Sequence, residues 1–108
     1  MKIANQFCPH AVIAPDERYH ETQRAWQGVP SIARTRGGRL LVTFMSGGIY
    51  EPDPRNNSIM IYSDNNGDTW SEPILILKSQ PQKRLRTSDM ELWIAPNGAL
   101  WAYWSEYP

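Results

Sequence analysis

Two kinds of side chain in this sequence could carry out chemistry: carboxylates and guanidinium groups, which lie in polar segments rich in Pro and Gly. Glu51 and Asp53 lie in one such segment, Gly47 to Asn57, together with Arg55. A carboxylic acid can donate a proton to a leaving oxygen, and a second carboxylate can act as a base or a nucleophile. These two residues are therefore candidates for acid–base chemistry. The alternative is that they simply solvate a Pro-rich loop.

The sequence holds few residues for metal or thiol chemistry. Cys8 is the only cysteine, which excludes a disulfide within the chain and any site with several cysteine ligands. His10 and His20 are the only histidines, and they lack a third ligand at a suitable spacing. We therefore expect no metal and no cofactor.

Charge and apolar pattern exclude two classes of partner. Lys plus Arg is 11 and Asp plus Glu is 11, so the formal net charge is zero, and no basic block marks a nucleic-acid binder. No segment approaches the roughly 18 apolar residues that a membrane-spanning helix needs. The first residues, up to Glu17, hold one Lys and no sustained apolar run, so we do not expect them to act as a secretory signal. The sequence indicates no particular compartment.

The elements that must position the candidate side chains are predicted to be β-strands. Val12 and Ile13 could begin a short one. Apolar runs bounded by Gly, Pro and Asn turns then predict strands at residues 29–34, 39–46, 58–62, 73–78, 91–95 and 99–105. The segments 47–57 and 79–89 are expected to be long polar loops. Helical spacing is missing over any useful length, so the fold class is predicted to be all-β.

Successive loops of an antiparallel meander alternate between the two ends of its sheet. We therefore expect residues 24–28, 47–57 and 79–89 to share one end, called here the long-loop end. The tight turns at Gly38, Gly67 and Gly98 should share the other end, the turn end. Because working sites are usually built on long loops carried by a rigid scaffold, the long-loop end is the predicted site.

A second strand–turn–strand pattern starts 60 residues after the first. Placing Gly98 on Gly38 puts Leu100 on Leu40. Coincidence is the alternative, since any two hairpins share Gly and alternating apolar residues. A four-stranded meander that repeats is typical of a β-propeller blade, so the sequence predicts a partial propeller.

The repeat predicts about one and a half four-stranded antiparallel blades. The domain boundaries that follow are an N-terminal segment at 1–25, a first blade at 26–78, and a loop with the first half of a second blade at 79–108. Trp93, Trp101 and Trp104 are expected to pack between the blades rather than to stack on sugars. Because a propeller ring needs about four to eight blades, such a chain would require further blades or copies of itself.

Residues Ser63 to Trp70 resemble the Asp-box of the sialidase (neuraminidase) superfamily, also called the BNR repeat, whose pattern is Ser-x-Asp-x-Gly-x-Thr-Trp. Ser63, Gly67, Thr69 and Trp70 match, and Asn65 replaces the usual Asp. Asn can accept the same backbone N–H bonds across the turn, and Gly67 should adopt the positive φ that the turn needs. In that family the box joins the third and fourth strands of a blade, as it would here. The resemblance implies a structural role for these five residues.

The segment from Trp26 to Ile32 looks like the Phe-Arg-Ile-Pro segment of the same superfamily, with Gly28 where that family has an Arg that binds the substrate carboxylate. The resemblance therefore implies a sialidase-superfamily exo-glycosidase, which hydrolyses a terminal sugar of a glycan, more than a true sialidase. This chain would be the N-terminal part of such an enzyme and inactive by itself. The alternative is a non-catalytic Asp-box propeller module that binds glycan or protein.

The resemblance also implies roles for the long-loop end. The acid/base carboxylate of such enzymes lies in the loop after the second strand of the first blade, where this sequence has Asp53 and Glu51. The residues expected to bind the substrate are Arg24, Gln27, Arg55, Arg86 and Asp89. The expected partners are a glycan substrate and either the remaining propeller blades or further copies of the chain, with no nucleic acid and no membrane.

Overall fold

The computed structural model describes residues 11–13 and 15–108, and these residues form seven β-strands. The strands are β1 Ala11–Ile13, β2 Gln27–Arg34, β3 Leu40–Ser46, β4 Asn57–Ser63, β5 Leu75–Lys78, β6 Arg86–Ile94 and β7 Leu100–Tyr107. Short 3-10 helices occupy Glu17–Tyr19, Glu21–Gln23 and Pro81–Lys83. The predicted all-β class is confirmed. Within the described ranges, no helix has the length and apolar character needed to cross a membrane.

The strands form two separate sheets. Strands β2 to β5 make an antiparallel meander, and β1 adds to the free edge of β5, which gives sheet 1 the order β1-β5-β4-β3-β2. Strands β6 and β7 form the two-stranded sheet 2. In β3, Leu41 pairs with Tyr62 and Val42 pairs with Ile61. Because side chains alternate along a strand, Leu41 and Val42 mark the two opposite faces of sheet 1.

The core lies between the two sheets and consists of Leu41, Met60, Leu75, Leu77, Met90 and Leu92. Burying one such side chain stabilises the fold by about 1.5–3 kcal/mol, so this apolar layer is the main force that joins the sheets. Two hydrogen bonds fix their relative position. Thr43 Oγ1 donates to Met90 O at 2.7 Å, and Ser31 Oγ accepts from Leu92 N at 3.0 Å.

The 60-residue correspondence is confirmed in the backbone. Strand β2 has a bulge at Val29, and β6 has one at Asp89, 60 residues later. Both bulged residues have a positive φ, 52° and 56°. The hairpin turns match as well, since Gly38 and Gly98 have φ values of 94° and 87°. A positive φ is unfavourable for a β-branched residue such as Val, so Val29 is a strained position in β2.

The predicted polar loop at 79–89 is wrong for its last four residues, because β6 begins at Arg86. Thr87 is polar but buried. Its Oγ1 donates to Lys78 O at 3.2 Å, and its backbone N donates to Ser79 Oγ at 3.1 Å. The hydrophilic side chains at the start of β6 are thus satisfied inside the fold, which a pattern based on apolar residues does not reveal.

The tryptophans of sheet 2 divide between its two faces. Trp104 packs against the core, as predicted. Trp93 and Trp101 do not pack between the two sheets of this chain; they lie directly opposite each other on the outer face of sheet 2, 53% and 59% exposed, so their packing between blades stays a prediction. Tyr103 shares that face. The alternation of side chains explains the division, because Trp104 lies an odd number of positions from Trp101.

Candidate functional site

The long-loop end is one continuous packed surface in the fold. The segment before β2 joins the loop between β3 and β4, because Gly48 O accepts from both Ala25 N and Trp26 N. The segment after β5 joins the same loop, because Ser79 Oγ donates to Asn56 O at 2.7 Å. The three segments grouped from strand direction alone therefore meet.

Asn56 organises the loop between β3 and β4. Its side chain is fully buried. Nδ2 donates to Gly47 O at 2.7 Å and to Tyr50 O at 3.1 Å, and Oδ1 accepts from Asp53 N at 2.9 Å. Gly47 has a φ of 119° and packs so tightly on Arg55 O that a Cβ would overlap this oxygen. The loop is thereby held in one compact conformation.

Asp53 is turned into this loop, with its side chain only 3% exposed. Arg55 donates to it through N at 2.8 Å, Nε at 2.9 Å and Nη2 at 2.7 Å. These bonds, first those of the Arg55 side chain, lower the pKa of Asp53 to about 2, because they favour the carboxylate more than burial disfavours it. At neutral pH the group is a carboxylate, which can accept a proton but has none to donate.

Glu51 lies in the same loop, and its side chain is 35% exposed. Arg86 Nη2 donates to Glu51 Oε1 at 3.2 Å. Since Arg86 belongs to β6, this ion pair joins the two sheets at the long-loop end. A small cavity of about 230 Å³ is lined by Arg86, Asp53 and Arg84, among others. We call Glu51, Asp53, Arg55 and Arg86 the carboxylate cluster.

Arg24 and Gln27, predicted to bind the same ligand, line a different feature. An open groove of about 990 Å³ runs along the face of sheet 1 that points away from sheet 2, and Val42 and Phe44 form part of its floor. The Arg24 guanidinium lies 5.5 Å from the centroid of the Phe44 ring. Burial lowers the pKa of Arg24. Four of the five predicted binding residues thus fall into two groups: Arg55 and Arg86 belong to the carboxylate cluster, and Arg24 and Gln27 line the groove.

Asp89 belongs to neither group. It is exposed at the bulge of β6, three residues after Arg86. Bulges often change the direction of a side chain beside a working site, and a non-Gly residue with positive φ indicates local strain of about 1–3 kcal/mol. The substrate-binding role of Asp89 stays a prediction, as do the catalytic roles of Glu51 and Asp53.

Residues 63–70 form a turn between β4 and β5 that has its own internal hydrogen bonds and is also bonded by Arg34 at Asn66 and by Arg39 at Asp64. Ser63 Oγ accepts from Gly67 N, and Asn65 Oδ1 accepts from Thr69 N, both at 2.9 Å. Gly67 has a φ of 91°, which confirms the predicted positive value. Trp70 packs beside Gly67 and is 42% exposed. The turn lies at the end of sheet 1 opposite to the carboxylate cluster. Its hydrogen bonds therefore stabilise the hairpin of β4 and β5 and do not contact the cluster.

Sequence reasoning missed the residues that hold the carboxylate cluster in place. Gly48 packs against Asp53 so closely that a Cβ would lie 2.6 Å from the carboxylate carbon. Asn56 makes the buried bonds described above. The available signal was the Gly47-Gly48 pair ahead of the Pro-rich segment, because adjacent glycines often mark a close approach of one backbone to another.

Metal binding finds no support in the part of the chain that the structure describes. There, no three His, Cys, Asp or Glu side chains are grouped so that they could hold an ion. His20 Nε2 instead lies 3.5 Å from Glu72 Oε1. His10 and Cys8 lie outside the described residues.

Comparison with known proteins gives one partial similarity. The chain is 36% identical over 59 residues to Sialidase B of Streptococcus pneumoniae serotype 4, a match that covers 53% of this chain and 8% of that protein. No protein-family model and no solved structure matches the chain. The chain thus spans a small part of the relative's length, and the similarity hints at the sialidase superfamily.

Proposed function

We propose that this chain is part of a sialidase-related glycoside hydrolase that removes a terminal sugar from a glycan. The observation that carries the proposal is the carboxylate cluster, in which two carboxylates and two guanidinium groups share the long-loop end of a rigid sheet. The partial identity to Sialidase B supports the same class. In this proposal, β2 to β5 form one blade of a β-propeller, residues 63–70 are its Asp-box, and sheet 2 begins the next blade.

The chemistry assigns different tasks to the two carboxylates. Glycoside hydrolysis needs one carboxyl group that protonates the leaving oxygen and a second group that acts as base or nucleophile. Asp53 is ionised and buried, which suits a proton acceptor or an electrostatic role. Glu51 is the more exposed of the two and is the one that a ligand can reach. Arg55 and Arg86 could bind an anionic group of the ligand through charge-assisted bonds.

One observation favours a second candidate, a non-catalytic module that binds glycan. Both carboxylates of the cluster already have arginine partners, Asp53 with Arg55 and Glu51 with Arg86. A general acid should have a pKa near the working pH, whereas Arg55 holds that of Asp53 at about 2.

Glycan binding by the 108-residue chain tests the proposal. We expect sialyllactose or lactose to shift backbone amide NMR signals of residues 47–56 and 84–89 at millimolar concentration. Arg86→Gln should abolish these shifts, because it removes the guanidinium beside Glu51. Arg34→Gln is the matched control at the turn end and should leave them intact. The proposal is wrong if neither glycan affects the long-loop end.

Fluorophore release from aryl glycosides addresses the chain's own activity. We expect no release by this chain, because Arg55 holds Asp53 ionised and both carboxylates of the cluster are already paired with arginines. Release that depends on protein concentration would contradict this expectation. If the coding sequence continues downstream, a Tyr–Glu pair with further Arg residues there would favour the hydrolase over the binding module.

A further inference from the structure

The groove on sheet 1 is a second concave surface, and no residue of the carboxylate cluster lines it. Its volume of about 990 Å³ lies at the upper end of the range that is usual for ligand sites, roughly 300–1,000 Å³. One wall is the segment before β2, with Glu21 and Arg24, and the other is the segment at residues 70–73. The proposed function makes no use of this groove.

The two walls are bonded to each other and to the rest of sheet 1. His20 Nε2 lies 3.5 Å from Glu72 Oε1, and this ion pair joins one wall to the other. The segment before β2 is also bonded to the loop between β3 and β4, because Gly48 O accepts from Ala25 N and Trp26 N. The groove is therefore formed before any ligand binds, which lowers the entropic cost of binding.

The groove has an apolar floor and an exposed aromatic ring in one wall. Val42, Phe44 and Ile61 contribute to the floor. The Phe44 ring is already covered, since the Arg24 guanidinium lies 5.5 Å from its centroid. Trp70 lines the same groove and is 42% exposed. Its indole is therefore the aromatic surface on which a ligand can stack.

The polar side chains that line the groove have donors and acceptors that the protein leaves unused. In the part of the chain that the structure describes, the Gln27 amide, the Glu21 carboxylate and the Trp70 indole N–H have no hydrogen-bond partner. Arg24 donates through Nε to Tyr19 O at 2.9 Å, which leaves its two terminal nitrogens for a ligand. Because the groove partly removes Arg24 from water, an acceptor supplied by a ligand would stabilise its charge.

This lining matches the chemistry of a neutral sugar. A sugar ring has C–H groups that stack on an indole, and hydroxyls that both donate and accept hydrogen bonds. Carboxylates such as those of Glu21 and Glu72 only accept, and the Arg24 guanidinium only donates, so hydroxyl groups can bond to all three. Two carboxylates against one guanidinium also disfavour an anionic ligand.

We propose that the groove is a binding site for a neutral saccharide, separate from the carboxylate cluster. Trp70 stacks on the sugar ring, and Glu21, Arg24 and Gln27 bind hydroxyl groups around its edge. This site is independent of the proposed hydrolase activity, because it requires no catalysis and none of the cluster residues.

NMR titration of the chain with neutral disaccharides tests this site. We expect lactose, maltose or N,N′-diacetylchitobiose at millimolar concentration to shift the indole N–H signal of Trp70 and the backbone amide signals of residues 21–28. Trp70→Ala should weaken the binding about tenfold, because it removes the stacking surface. Trp93→Ala is the matched control and should leave the binding unchanged, since it removes a tryptophan that is 53% exposed on the outer face of sheet 2.

A second variant keeps the test valid if Trp70→Ala disturbs the turn beside it. Gln27→Ala removes an exposed side chain that has no hydrogen-bond partner among the described residues, so the fold should not change. We expect it to weaken saccharide binding about threefold. Far-UV circular dichroism checks that both variants are folded. Arg86→Gln, which should abolish ligand effects at the carboxylate cluster, should leave those at the groove intact, so the two proposals can fail separately.

The groove proposal is overturned if none of the three disaccharides shifts its signals, or if W70A and Q27A both bind as tightly as the unchanged chain. Tighter binding of sialyllactose than of lactose at the groove would also overturn it, because the site would then select an anion. Shifts confined to residues 47–56 and 84–89 would support the carboxylate cluster alone and contradict a site in the groove.

Discussion

Two arginine–carboxylate pairs in this chain have similar contacts but differ in burial. Arg55 binds Asp53, which is 3% exposed, and Arg39 binds Asp64, which is 55% exposed. Burial raises the pKa of a carboxyl group, and donated hydrogen bonds lower it. For Asp53 the donors prevail, because Arg55 contributes its backbone N–H as well as its side chain.

We predict that Arg55→Gln raises the pKa of Asp53 from about 2 toward the ordinary value of 3.8. The side-chain bonds are the largest cause of the lowering, and the bond from the backbone N remains. Titration of the carboxyl carbon signals by NMR measures the change. Arg39→Gln is the matched control and should raise only the pKa of Asp64, which Arg39 lowers. A pKa of Asp53 that stays near 2 in R55Q would mean that the backbone bond alone accounts for it.

The same lowered pKa predicts a dependence of stability on pH. A carboxyl group whose pKa is lower in the folded state stabilises the fold above its unfolded pKa, and this contribution is lost as pH falls through the folded value. The difference in free energy of unfolding between the unchanged chain and Asp53→Asn should therefore shrink from about pH 4 to about pH 2. Urea unfolding at several pH values measures it.

Gly47→Ala is predicted to destabilise the fold by more than the roughly 1–2 kcal/mol that left-handed backbone costs a non-Gly residue. The added Cβ would also displace Arg55 O, and with it the loop that carries the carboxylate cluster. Gly38→Ala is the control, because Gly38 has a φ of 94° but no atom within 4 Å of a Cβ. Equal losses for the two variants in urea unfolding would contradict the close contact.

At the scale of elements, strands with apolar runs could be predicted, and strands with buried polar side chains could not. Strand β3 is recognisable because Leu40 to Met45 is apolar on both faces. The first half of β6 was missed because Thr87 is satisfied only by partners in other segments. For the candidate site, strand direction alone predicted that residues 24–28, 47–57 and 79–89 share the long-loop end. It could not predict that Arg86 would pair with Glu51, 35 residues away.

The bulge in β6 leaves Met90 without a paired residue, and a side chain of sheet 1 supplies a hydrogen bond to its backbone. The donor is the buried Thr43 Oγ1, and the acceptor is Met90 O. Thr43→Val keeps the shape and removes the donor, so we predict a loss of about 1–3 kcal/mol in the free energy of unfolding. Thr43→Ser keeps the hydroxyl and should lose about 1 kcal/mol, for one buried methyl group. Chemical unfolding of both variants measures the difference, and a larger loss for T43S would refute this role.

At the scale of the whole molecule, the outer face of sheet 2 exposes Trp93, Trp101 and Tyr103 side by side, and contiguous exposed apolar patches mark interaction sites. Self-association through this face would stabilise only the folded state, and the gain in free energy would grow with the logarithm of protein concentration. We therefore predict that the melting temperature of the unchanged chain rises with protein concentration and that Trp101→Arg removes this rise. Ile49→Arg, at an exposed loop residue, is the matched control and should keep it. A melting temperature independent of concentration in all three proteins, by differential scanning calorimetry, would contradict this.

Arg36 has a consequence for how the two sheets are oriented. Its guanidinium donates to Pro96 O and packs against Gly98, so the turn of sheet 1 is bonded to the turn of sheet 2. The residue 60 positions after Arg36 is Pro96, which has no side-chain donor. The turn of sheet 2 therefore cannot make the same bond to a sheet packed on its outer face. The angle between the two sheets of this chain is fixed by a hydrogen bond at the turn end, whereas the angle of any sheet packed on the outer face would be set by side-chain packing alone.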